Sequence, residues 1–157
     1  MTQVSILNRH GARYPTTKKG TTYATLIAAI QNFTTSYSPA YAFIQNLTYD
    51  LGENNLTPFG EQELVFSGNK FFERYQSLAE KNVPFVRADS AERTIMSAYN
   101  FTLGFAASCA ADRKCTIGVG LDPNNIEILT ASSTLNDTLD PDNCYQVCQT
   151  VHNSNLA

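Results

Sequence analysis

The sequence predicts an α/β fold in which short apolar strands alternate with amphipathic helices. Three observations carry that expectation. The runs Val4–Asn8, Phe85–Ala88 and Ile126–Leu129 have strand length and character, and the stretches between them place apolar residues at helical spacing. The first run ends directly in a turn that carries His and Arg, the position at which open α/β sheets bind ligands. A chain of 157 residues with 43% hydrophobic residues can bury one ordinary core. Three parallel strands make a thin sheet, so the expected sheet is incomplete.

Each element has a local reason. Val4 to Asn8 reads as a short buried strand that delivers the Arg9–Pro15 turn. Leu26, Ile27 and Ile30, with Tyr23 one turn earlier, predict a helix over 22–32. Residues 34–56, rich in Thr, Ser, Asn and Tyr, predict an irregular excursion. Thr57-Pro58 then opens the clearest helix, with Thr at the N-cap and Pro in the first turn. Its apolar stripe is Leu64, Val65, Phe71, Phe72, Tyr75 and Leu78, and Gly68 on that stripe permits close approach of a neighbour. After the second strand, Asp89 and Glu92 have the spacing of a capping box, predicting a helix from there to about Ala107. Arg87 would then end a strand just before a helix N-terminus, a place that favours anions. Residues 130–157 are mostly polar, without a helical or strand pattern.

The run Arg9-His10-Gly11-Ala12-Arg13-Tyr14-Pro15 carries the chemistry. Two guanidiniums flank one imidazole on a glycine-containing turn. Guanidinium binds phosphate oxygens through paired hydrogen bonds, and a neutral imidazole nitrogen can attack phosphorus once cations offset the charge of the incoming anion. The charge map agrees without using any motif: the first 49 residues carry +4 and the remainder −7, so the net −3 conceals a cationic N-terminal segment. An acidic chain overall, with pI near 5.3, argues against nucleic acid as a partner. The competing reading is a solvated basic turn, and for Arg87 a surface ion pair with Glu92 or Asp89.

Cysteines and sequons bear on compartment. Cys109 with Cys115 and Cys144 with Cys148 form two close pairs without metal-ligand companions nearby. A local Cys109–Cys115 disulfide is expected, with Cys144 pairing outside the chain; reduced thiols in a cytosolic protein are the alternative. Five Asn-x-Thr sequons, at Asn32, Asn46, Asn55, Asn100 and Asn136, also point to export, with any leader already removed. No stretch approaches the roughly 18 apolar residues of a membrane span. Two histidines far apart, with no carboxylate cluster near either, give no metal ligand set, and no glycine-rich nucleotide loop is present. No cofactor is expected.

The segment Arg9 to Thr16 resembles the motif of the histidine acid phosphatase family. The likeness continues through Lys18-Lys19-Gly20, Tyr41-Ala42-Phe43, Leu51-Gly52, Leu56 to Leu64, Val83 to Arg87 and Thr138 to Cys144, closest to the secreted fungal phytases of that family. A lone Arg-His-Gly is shared with phosphoglycerate-mutase-like relatives; the full heptad with this downstream sequence is far more specific. The resemblance implies part of a phosphoglycerate-mutase-like sheet flanked by helices. It makes residues 1–157 the N-terminal part of one domain, including the start of a helical insertion, with no complete second domain. It implies a phosphomonoesterase working at acidic pH through a phosphohistidine, with His10 as nucleophile, Arg9, Arg13 and Arg87 as the phosphate clamp and Lys19 toward a polyphosphorylated substrate such as phytate. Thr22 stands where a second lysine is frequent, which loosens that substrate preference.

The family's second motif, a His-Asp pair that supplies the proton donor, has no counterpart. His152 is followed by Asn153, and Asn cannot act as an acid. The chain is therefore expected to be poorly active or unfolded alone. Two further readings compete. A non-catalytic anion-binding secreted glycoprotein would keep the arginines without turnover. A cytosolic mutase-like transferase would explain Arg-His-Gly but neither sequons nor cysteines.

Overall fold

A computed structural model describes residues 3–117, 122 and 124–130. In chain order it contains α1 (Thr17–Phe33), a 3-10 helix (Pro39–Asn46), α2 (Pro58–Arg74), α3 (Gln76–Ala79), β1 (Arg87–Asp89), α4 (Glu92–Ala111) and β2 (Glu127–Leu129). The two strands are parallel, with Arg87 opposite Glu127, Ala88 opposite Ile128 and Asp89 opposite Leu129. Helices beside a small parallel sheet fit an incomplete α/β architecture.

The core lies between α2 and α4. Phe72 from α2, Ala79 from α3 and Phe105 and Cys109 from α4 form one buried cluster, and Phe105 is only 1% exposed. Phe72 and Phe71 make edge-on contacts with Phe105 at 5.3 Å and Phe101 at 5.6 Å, an arrangement aromatic quadrupoles favour. The helices come this close because each presents a glycine to the other's backbone. A Cβ at Gly68 would fall on the Phe101 carbonyl, and one at Gly104 on the Val65 carbonyl. Thr57 caps α2 as its sequence predicts, accepting the Gly60 N–H at 3.0 Å. Cys109, in the last turn of α4, is disulfide-bonded to Cys115, as the spacing led one to expect. Beyond that bridge Thr116 donates its N–H to the Glu80 carbonyl at 2.9 Å and so ties the loop to the end of α3.

The structure departs from the sequence reading at several places. α1 begins at Thr17, five residues early; its threonines 21, 22 and 25 return their hydroxyls to carbonyls four residues back and stay compatible with the helix. The excursion over 34–56 contains the 3-10 helix, to which Gln31 is fastened by bonds to the Ile44 and Leu47 carbonyls. Asp89 does not cap α4. It ends β1, so the helix starts three residues later, with Ala91 in the capping position and no side-chain cap. Consequently Arg87 opens its strand instead of ending it. α4 also runs on to Ala111, four residues past its expected end.

Val4–Asn8 forms no strand among the described residues. A strand exists only through a ladder partner, and this segment shares a cavity of about 830 Å³ with Asn82–Asp89 in place of hydrogen bonds to it. Cys144 and Cys148, the sequon at Asn136, the Thr138–Cys144 likeness and His152 lie outside the described residues.

Candidate active site

The Arg9–Pro15 turn is built by its neighbours. Arg13 forms an isolated antiparallel bridge with Leu56. Tyr14 N–H donates to the Asn55 carbonyl at 2.9 Å, and Thr57 N–H to the Ala12 carbonyl at 2.9 Å. These bonds lay the turn across the start of α2. Gly11 and Gly60 allow the contact: a Cβ on Gly11 would strike the Gly60 carbonyl, and one on Gly60 the Ala12 carbonyl. From the other side, Gly11 N–H donates to Ser97 Oγ of α4 at 3.1 Å, and that hydroxyl donates to the Arg93 carbonyl at 2.6 Å.

The result is a concavity of about 540 Å³ lined by Arg9, His10, Arg13, Lys19, Tyr23 and Glu63, together with the intervening turn. His10 is half-buried, and its Nδ1 lies 2.8 Å from the Gly11 carbonyl oxygen. A carbonyl only accepts, so Nδ1 carries the proton, which in the neutral ring leaves the lone pair on Nε2. Arg13 donates Nη1–H to the Tyr14 carbonyl at 2.9 Å, which fixes one edge of its guanidinium. The only salt bridges among the described residues, Lys70–Glu73 and Arg87–Glu127, involve none of the pocket's cations. Arg9, Arg13 and Lys19 therefore face solvent with uncompensated charge at salt-bridge distance, which draws anions. Among the described residues no group of three or more His, Cys, Asp or Glu side chains could hold a metal ion.

Of the five site residues expected from sequence, the fold brings four together: Arg9, His10, Arg13 and Lys19. Arg87 lies outside that concavity but lines the larger cavity, whose wall also includes Arg9 and His10. It donates Nη2–H to Glu127 at 3.3 Å, half-exposed, and lies over the Phe85 ring at 5.1 Å, on the wall of the larger cavity. Its ion pair joins the two strands, through a partner other than the Glu92 or Asp89 considered from sequence. Arg93 behaves differently. It lies one turn before Ser97 on α4, on the face that meets Gly11, and its Nε is buried with no hydrogen-bond partner among the described residues. Sequence reading passed over Arg93, Ser97 and Glu63, since nothing local shows that α2 and α4 close on the turn.

The sequence profile of the histidine phosphatase superfamily, branch 2, matches residues 1–155. The chain belongs to that superfamily. Among curated proteins it is similar to Phytase A of Aspergillus awamori, 44% identical over 144 residues, which is 92% of this chain and 31% of that protein. Phytase A of Aspergillus oryzae is 42% identical over 154 residues, 98% of this chain and 32% of that protein. Phytase A of Aspergillus terreus is 47% identical over 105 residues, 67% of this chain and 22% of that protein. The chain thus spans about a third or less of the length of these relatives. None of its described helices is long and apolar enough to cross a membrane.

Proposed function

We propose that this chain is the N-terminal part of one histidine acid phosphatase domain, and that the full-length enzyme hydrolyses phosphomonoesters, phytate among them, through a phosphohistidine on His10. One observation carries the reading: a single pocket gathers an imidazole whose Nδ1 is held by the Gly11 carbonyl and three cations with no acidic partner at salt-bridge distance among the described residues. Arg9 and Arg13 bind the phosphoryl oxygens and offset their charge, while Nε2 attacks phosphorus in line with the ester oxygen. The N–P bond forms as the P–O bond breaks. The leaving alkoxide takes a proton from the carboxylic acid that the family resemblance assigns to a His-Asp pair absent from these 157 residues. Water then attacks the phosphohistidine and releases inorganic phosphate. Lys19, at the pocket edge, adds charge for further phosphates of a polyphosphorylated ring.

The resemblance gives the third guanidinium to Arg87. The Glu127 pairing of Arg87 and the enclosed, unpartnered Nε of Arg93 favour Arg93 for that role. Export as a glycoprotein is supported by the disulfide and by the exposed sequons Asn32, Asn46 and Asn55.

In the full-length enzyme, His10→Ala is expected to lower turnover by about ten-thousandfold or more with the fold intact, because no second imidazole and no thiol lines the pocket among the described residues. Undiminished hydrolysis in that variant refutes the assignment. One other reading, an anion-binding protein without turnover, rests on the same cationic pocket. It requires thermal stabilisation by phosphate or phytate in a full-length protein that hydrolyses neither.

A further inference from the structure

Ala12 is gripped on both sides by α2. Its carbonyl accepts from Thr57 N–H at 2.9 Å and from Thr57 Oγ1–H at 3.1 Å. Its N–H donates to Glu63 Oε2 at 2.8 Å, across 51 positions of sequence. That N–H belongs to the peptide unit whose carbonyl is that of Gly11, the acceptor of His10 Nδ1–H at 2.8 Å. The peptide is planar and trans, so its N–H and C=O point in opposite directions and turn together. A carboxylate that fixes the N–H therefore fixes the carbonyl. The carbonyl in turn sets the plane of the His10 ring and keeps the proton on Nδ1. An anionic acceptor also polarises the peptide, which makes its carbonyl a better partner for the imidazole.

Glu63 is out of place by charge alone. Among the described residues it is the only carboxylate lining a pocket that also holds Arg9, Arg13 and Lys19, and there it opposes an incoming phosphate. We propose that Glu63 is a positioning residue for His10, acting on the nucleophile through the Gly11–Ala12 peptide. It orients the imidazole as a buried carboxylate orients a catalytic histidine elsewhere, with one peptide unit interposed between them. This rests on His10 being the nucleophile.

The test compares two side chains of similar length in the full-length enzyme. Glu63→Gln keeps an oxygen for Ala12 N–H and removes the charge; Glu63→Met removes both. Glu63→Met is expected to lower kcat and the single-turnover rate of phosphohistidine formation by about 10- to 100-fold, the cost of a nucleophile held off its line of attack. Glu63→Gln should keep kcat within about threefold of the parent and lower KM, since a negative charge has left the pocket. Single-turnover rates are read per phosphorylated site, so loss of folded protein does not mimic the effect. Glu63→Ala serves as the acceptor-free variant where Met perturbs folding. Parental kcat in the acceptor-free variants, or an equal fall in Glu63→Gln and Glu63→Met, overturns the proposal. His10→Ala is run alongside: an active His10→Ala removes the nucleophile assignment itself, whereas an inactive one beside a fully active Glu63→Met removes only the role of Glu63.

Discussion

Arg87 and Arg93 stand six positions apart, and the fold treats them oppositely. One is committed to Glu127 and Phe85 on the wall of the larger cavity; the other sits on the helix face that meets Gly11, with its Nε buried. In the full-length enzyme, Arg93→Ala is expected to lower kcat/KM by at least about 100-fold through loss of a charge-assisted phosphate contact, and Arg87→Ala by less than about threefold. Steady-state kinetics on a simple phosphomonoester decides between them, and the reverse order would restore Arg87 to the clamp. The same contrast shows what was legible in the sequence. Arg9, His10, Arg13 and Lys19 could be grouped because they lie within eleven positions on one turn and the helix that follows it. Ser97, 86 positions from Gly11, and Glu63 reach the turn only through tertiary packing, which no local pattern encodes.

At the scale of elements, α2 and α4 hold the site because they bring Thr57, Glu63 and Ser97 to one turn. Their separation is set by the paired glycines. Gly68→Ala would push a methyl group into the Phe101 carbonyl and is expected to destabilise the full-length protein by about 1–3 kcal/mol, more than the helix propensity of Ala returns. Thermal or urea unfolding measures it; an unchanged or raised midpoint would mean that the helices are not in this close contact. α2 was legible in the sequence since its cap, its proline and its apolar period are all local. The α4 capping box was not, because the β1–β2 pairing extends through Asp89 and claims the residue expected to cap. Val4–Asn8 failed as a strand for a related reason: apolar character suits a segment to a sheet, but a ladder needs a second backbone.

For the molecule as a whole, the surface decides which sequons are usable. Asn32 and Asn46 are exposed, and Gln31 fastens their two helices together, so both acceptors sit around one corner that also exposes Phe33 and Phe43. Asn100 is 7% exposed in the middle of α4, with its amide donating to the Met96 carbonyl at 2.8 Å. Glycopeptide mapping of the protein secreted from a eukaryotic host is expected to find glycans at the exposed Asn32, Asn46 and Asn55 and none at Asn100. Glycosylated Asn100 in folded material would contradict the packing of α4.

The cavity between Val4–Asn8 and Asn82–Asp89 bears on how such a chain is made. β1 has a partner on one edge only among the described residues, and the walls of the cavity carry Leu7 at 87% and Phe85 at 73% exposure. An unpaired strand edge beside exposed apolar side chains templates pairing with whatever extended backbone arrives first. During synthesis these residues emerge before anything downstream of them, at about 5–20 residues per second, so the opening stays unfilled for seconds. In that interval the correct closing segment competes with the same edge on neighbouring nascent chains.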